Sequence, residues 1–288
     1  MGALVLAAKI THVPSIWLSE QPGPHHGIRE NAIDGLRELG RRARALDVET
    51  FVVLDVHWQV TIGFHVNAKA RHSGEYTSHE LPHFIQGLAY DYAGDPTLAD
   101  AIAANAETAG LKCRAHRAPG LGLEYATLIR MRHMNPDATV RVLPVAVNVY
   151  AGIEESRRFG AAIRAAIDAS GSRVALLASG SLSHQFWSND RAEAGLNTVS
   201  SAFNREVDLR VLELWQTGRV ADFLAMLPDY AARCSGEAAM GDTAMLFGAL
   251  GWDRYRGRGE LLGEYFGSSG TGQINAVFPV TAVGASAV

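Results

Sequence analysis

Short apolar runs alternate along the chain with longer stretches of helical spacing. The segments 4–10, 50–56 (TFVVLDV), 140–147 and 173–178 are short, aliphatic and almost continuously hydrophobic. That is the pattern of strands covered on both faces. Spacing near 3.6 residues predicts helices over 28–46, 97–110, 153–169, 200–215 and 240–250. Glycines and prolines fall mostly between these elements, where chain breaks are expected. The least regular part is 68–95, rich in His, Tyr and Gly. A loop of that length in a compact domain usually carries function. No repeat, low-complexity tract or linker divides the chain. The expectation is an α/β fold, a single domain over residues 1–288 with a mixed central β-sheet flanked by helices.

Composition narrows the class. With 288 residues, 48% of them hydrophobic and 19% charged, the chain can bury a large core and is not a disordered polymer. A net charge of −4 provides no basic footprint, so no nucleic-acid partner is expected. Cys113 and Cys234 are the only cysteines, too few for a disulfide framework and not spaced for a structural zinc. The early apolar run LVLAAKI lacks a basic start and a cleavage site, and no segment is long enough to span a bilayer. These points predict a cytoplasmic protein without a membrane partner.

Chemistry concentrates at strand ends. His12 follows the first predicted strand, His57 follows FVVLDV, and His184 follows VALLAS through a GSLS turn. Ligands of open α/β sheets collect beyond the carboxyl ends of the strands, so three histidines at matching positions can converge. Each alone reads more readily as a packing or surface residue. A carboxylate is available from GEAAMGDTAMLFGALGW as Glu237 or Asp242. On a continuous helix the two differ in direction by about 140°, so only one can share the crevice. Glu237, beside Gly236, is preferred, although an acidic residue in a first helical turn often only complements the helix dipole. Two imidazoles and a carboxylate suit Fe(II), because such a facial set leaves positions open for substrate and O2. His184 is then a candidate acid/base. The chain has no HExxH, GxSxG, GxGxxG after a strand, or Walker loop.

The strings KITHVPS, VLDVHW, SHELPHFI, LASGSLSHQF, GDTAMLFGALGWD and SSGTGQINAVFP resemble the class III extradiol ring-cleavage dioxygenases, the superfamily of the protocatechuate 4,5-dioxygenase β subunit. They are most similar to its homoprotocatechuate (3,4-dihydroxyphenylacetate) 2,3-dioxygenases, from the first residues to about Pro279. The resemblance implies Fe(II) held by His12, His57 and Glu237, with His184 as the catalytic histidine. It also implies a catechol and O2 as substrates, a role in aromatic catabolism and a homo-oligomeric assembly. Where many superfamily members carry Asp-His-Gly before Thr-Leu, this chain has Glu124, Tyr125 and Ala126, so Tyr125 is a candidate for the second catalytic group. A phenol can donate a proton but does not titrate near neutrality as imidazole does. Trp17, Trp58 and Trp187 are expected to wall the ring pocket. His25, His26, His79, His83 and Arg130 are candidate partners for a substrate carboxylate. The competing readings are the same chemistry on another catechol or an aminophenol, a zinc hydrolase using the same ligands, and a non-catalytic metal-binding scaffold.

Overall fold

The computed structural model describes residues 2–280; the outer ends of the 1–288 span lie outside the described residues. The chain runs through β1 (Ala3–Lys9), α1 (Ser15–Glu20), α2 (Glu30–Ala45), β2 (Thr50–Val60) and β3 (Phe64–Asn67). A hairpin of β4 (Arg71–Tyr76) and β5 (Leu88–Ala93) follows, then α3 (Pro96–Thr108), β6 (Cys113–His116), α4 (Tyr125–Met134) and β7 (Arg141–Asn148). Next come α5 (Ile153–Ser170), β8 (Arg173–Ala178), α6 (Ala202–Gln216), α7 (Val220–Arg233) and α8 (Gly241–Leu250). The last elements are β9 (Glu260–Leu261), β10 (Phe266–Ser268), β11 (Thr271–Gln273) and β12 (Ala276–Phe278).

Eight strands form one mixed sheet in the order β6-β3-β7-β2-β8-β1-β12-β9. Its centre, β7-β2-β8-β1, is parallel, while β12 and β9 add on antiparallel. Alternation along each central strand feeds two cores. Val52, Leu54 and Val56 of β2, with Val174 and Leu176 of β8, face a cluster shared with α3, α5, α6, α7 and α8. Phe51, Val53, Ala175 and Leu177 face the opposite cluster, shared with α2 and α4. Both faces being covered explains why these strands read as continuous apolar runs.

The sheet and the five helices expected from spacing are present, with ends shifted by a few residues. Three helices escape that pattern: α1, a six-residue helix inside a Pro- and Gly-rich stretch, α4 and α7. Nearly all of α4 is buried, Arg130 included, so it has no polar face to create a period. Helix α7 carries Pro228 in its interior, which reads as a break. The irregular 68–95 segment is largely the β4–β5 hairpin, with a tight loop at 77–87.

Candidate active site

Strands β2, β8 and β1 are adjacent and parallel, so their carboxyl ends open on one edge of the sheet. His12 lies just past β1. Thr11 before it is pinned through its N–H to Asn275 Oδ1 (3.1 Å) and through its hydroxyl to Gln273 Oε1 (2.7 Å). His57 lies where the β2–β7 register shifts between Asp55 and Gln59. This irregularity turns the imidazole out of the ladder. Asp55 Oδ1 accepts the N–H groups of His57 (2.9 Å) and Trp58 (3.2 Å), satisfying donors the ladder has lost. The turn after β8 brings in His184. The Ser183 hydroxyl donates to Asp208 (2.7 Å), and the His184 N–H donates to the Cys234 carbonyl (3.1 Å). Asp208 also accepts from Tyr230 and Tyr265, and Lys9 and Asp242 pair behind the same turn.

Glu237 arrives by a different route from the one its spacing suggests. It precedes three consecutive residues with positive φ, Ala238 (47°), Ala239 (53°) and Met240 (60°). Each such non-glycine residue costs roughly 1–2 kcal/mol. α8 begins only at Gly241, so the helical-face argument separating Glu237 from Asp242 does not apply. The two still diverge. Glu237 enters the crevice and accepts the Ser181 N–H, whereas Asp242 turns inward to Lys9 Nζ (2.9 Å) and the Gly180 N–H (2.6 Å).

The resulting constellation is tight. His12 Nε2 and His57 Nε2 are 3.0 Å apart. Glu237 Oε1 is 3.4 Å from His12 Nε2, 3.7 Å from His57 Nε2 and 3.6 Å from His184 Nε2. Two donors at right angles around an ion with bonds near 2.1 Å sit about 3.0 Å apart. The atoms of His12, His57 and Glu237 therefore fit one metal ion in spacing, and two nitrogens with one carboxylate oxygen fit a divalent transition metal in type. His184 stands on the open side, half-buried, in the wall of the pocket.

Electrostatics agrees with a cation site. Burial pushes the Glu237 carboxyl upward, but His12, His184, His57 and the Ser181 N–H pull it well below the usual carboxylate range. Burial drives His12 far below an ordinary histidine, which leaves a neutral ring with a free lone pair. For His57 burial also lowers the pKa, yet Glu80 and Glu237 outweigh it and the net shift is upward. Tyr125 Oη is 2.6 Å from His57 Nε2 and 3.4 Å from Glu80 Oε2. Burial, then the charges of Glu80 and Glu237, hold its phenol far above the ordinary value, so it is a donor and not a base.

The pocket in front of these groups has Leu81, Phe84 and Phe186 as its apolar walls and Ser15, Ser268 and Thr271 on its polar side. The three tryptophans expected there lie elsewhere. Trp17 stacks under Arg132 (4.6 Å) and Trp187 under Arg191 (4.1 Å), while Trp58 meets the edge of His116 (6.4 Å). Two of these rings are engaged in cation–π contacts with arginines. Nor do His25, His26, His79, His83 or Arg130 line it. Arg130 is fully buried behind the strand ends and donates to the Ile10 (3.3 Å) and Ser179 (3.4 Å) carbonyls. Spacing along the sequence did not point to Glu80 or to the hydroxyl side of the pocket, nor to the apolar walls Leu81, Phe84 and Phe186. All sit in strings that carry the resemblance, KITHVPS, SHELPHFI, LASGSLSHQF and SSGTGQINAVFP, but no pattern of spacing singles them out.

Comparison with known proteins shows the family. A family model described as the catalytic LigB subunit of aromatic ring-opening dioxygenase matches residues 6–279. The chain is 46% identical over 261 residues to the 3,4-dihydroxyphenylacetate 2,3-dioxygenase of Escherichia coli, covering 90% of this chain and 94% of the relative. It is 24% identical over 263 residues to the 2-aminophenol 1,6-dioxygenase beta subunit of a Pseudomonas species, covering 86% of each. Among solved structures, an uncharacterized protein of Escherichia coli K12 shares the fold with a TM-score of 0.65 at 15% identity, over 95% of this chain and 99% of that one. Among the described residues no helix is long and apolar enough to cross a membrane.

Proposed function

Because the chain belongs to the family of catalytic LigB subunits of aromatic ring-opening dioxygenases, we propose that its substrate is 3,4-dihydroxyphenylacetate, opened between C2 and C3. The enzyme is an extradiol dioxygenase, and both atoms of O2 enter the product. On this reading the product is 5-carboxymethyl-2-hydroxymuconate semialdehyde. The whole chain, 1–288, acts as one catalytic domain.

His12, His57 and Glu237 hold the metal, and Fe(II) is the ion proposed. Fe(II) held there would act as a Lewis acid that lowers the pKa of a catechol hydroxyl and would supply the redox chemistry that makes the ring reactive toward O2. The observation that carries the assignment is the convergence of three imidazole Nε2 atoms on Glu237 Oε1 at the end of three neighbouring strands. His184, outside the ligand triangle and facing the pocket, takes the proton of the second catechol hydroxyl and returns it as the ring opens. Tyr125, kept protonated, stands beside the His57 ring and donates to Glu80. Leu81, Phe84 and Phe186 exclude water from the ring.

The acidic arm of the substrate needs donors, and the hydroxyl side of the pocket supplies them. Arg29, buried behind it, donates from Nε to Ser15 Oγ (2.9 Å), and Ser15 lies 3.0 Å from Ser268 Oγ. A guanidinium cannot accept. Whichever serine donates to the other, one hydroxyl proton is left for a pocket anion, backed by the Arg29 charge. Cytoplasmic residence and a homo-oligomeric state complete the reading; sedimentation velocity tests the latter.

Anaerobic loading with Fe(II), then 3,4-dihydroxyphenylacetate and air, is the deciding experiment. Yellow product with one O2 consumed per substrate is expected, and turnover exceeding that of 2-aminophenol and unsubstituted catechol. Faster turnover of 2-aminophenol would overturn the substrate assignment; no O2 uptake with any catechol would overturn the function.

A further inference from the structure

The two imidazoles of the ligand triangle are supported unequally. An imidazole that gives its Nε2 lone pair to a metal carries its proton on Nδ1, and that N–H needs an acceptor to fix the tautomer and the ring plane. His12 Nδ1 is buried and has no hydrogen-bond partner among the described residues. His57 Nδ1 has one: Glu80 Oε1 lies 3.2 Å away. The second oxygen of the same carboxylate accepts from Tyr125 Oη at 3.4 Å. Glu80 thus meets the His57 nitrogen that does not face the ligand triangle, and it does not belong to the group of atoms that could share one metal ion.

Glu80 belongs to the 77–87 loop at the tip of the β4–β5 hairpin. This loop closes on itself through Ser78 N–H to the Ile85 carbonyl (2.9 Å) and Leu81 N–H to Ser78 Oγ (3.1 Å). Ile85 is its fully buried anchor, and Leu81 and Phe84 form a wall of the pocket. One carboxylate thus touches the metal-facing histidine while its immediate neighbour touches the substrate space. We infer that Glu80 is a positioning residue: it accepts the His57 Nδ1–H and couples the pocket wall formed by Leu81 and Phe84 to the metal centre. The inference rests on the reading that His57 is a ligand.

The coupling has two consequences. The hydrogen bond orients His57 and raises its basicity toward the ion, so Glu80 acts on metal affinity although it never touches the metal. It also tethers the loop, whose Glu80 carboxylate is otherwise 60% exposed, so the wall is held in register with the metal.

Fe(II) affinity, measured anaerobically by competition with a chromophoric chelator, tests this without reference to turnover. The proteins are wild type, Glu80→Ala, Glu80→Gln, His57→Ala and Gln86→Ala, the last an exposed position on the same loop. Glu80→Ala is expected to weaken Fe(II) binding about 10- to 100-fold, the usual effect of losing such a partner. Glu80→Gln, which keeps an oxygen acceptor for Nδ1–H, recovers most of that loss, and Gln86→Ala binds as wild type. Because the Glu80 side chain is exposed, the metal-free variants should melt with the wild type. Wild-type affinity in Glu80→Ala, or an equal loss in Gln86→Ala, would overturn the role of Glu80. So would a Glu80→Gln as weak as Glu80→Ala. Wild-type affinity in His57→Ala would instead sink the ligand assignment beneath it.

Discussion

Behind the convergent imidazoles, Lys9 and Asp242 form an ion pair with 1% and 0% of their side chains exposed. Asp208 there gathers the hydroxyls of Ser183, Tyr230 and Tyr265. In front of the same imidazoles stand Glu80 at 60% exposure and Phe186 at 62%. The inner wall is built from charges that have lost their water and must keep their partners, because an unpaired buried charge costs several kcal/mol. The outer wall is built from exposed side chains whose burial contributes little to folding. A site assembled this way holds its ligand atoms by over-determination on one side and admits substrate on the other. Asp208 shows the tension of the inner wall: burial pushes its carboxyl up, although four hydrogen-bond donors from Tyr265, Tyr230 and Ser183 pull it back.

Substitutions can break that contrast, beginning with the largest expected effect. Glu237→Ala removes the only carboxylate of the ligand triangle, and stoichiometric iron should be absent after gel filtration. Full iron occupancy would mean another group is the ligand; Asp242 is a poor replacement, being committed to Lys9 and Gly180. His184→Phe should retain iron and lose about 10²–10⁴-fold in kcat, the range for a positioned acid/base. Unchanged kcat in single-turnover traces would remove His184 from the reaction. Lys9→Met leaves Asp242 buried and uncompensated, and urea unfolding should register a loss of about 3–5 kcal/mol. Iron per folded molecule should not change, which separates support of the fold from support of the metal. Phe186→Ala, on the outer wall, should alter stability by no more than about 0.5 kcal/mol and act on KM rather than kcat. A large stability loss there would erase the distinction between the two walls.

The contrast also explains which parts of the molecule were legible in the sequence. Central strands such as Arg173–Ala178 announce themselves because both faces are buried. Their carboxyl ends then locate His12, His57 and His184 by topology alone. α4 was not legible because its ring of buried side chains, Arg130 among them, leaves no amphipathic stripe. The tryptophans misled because proximity in sequence to a site residue does not fix where a large ring packs; Arg132 and Arg191 claim two of them. Glu80 was invisible for a related reason. It is about two dozen residues from His57 along the chain, on a hairpin whose pairing brings it back.

The sequence by itself determined the α/β alternation, the strand ends that carry the histidines, and the donor types that suit a divalent metal. Periodicity and chemistry of side chains are local properties, and they survive in one dimension. Only the tertiary structure decided that Glu237 and not Asp242 enters the crevice. The deciding event is a run of left-handed residues at 238–240 that ends before α8 begins, together with a lysine from β1 that claims Asp242. The serine and arginine side of the pocket was likewise a product of long-range packing, since Ser15 and Ser268 meet only when β10 folds against α1. Such contacts depend on where distant segments cross, and no local pattern encodes that.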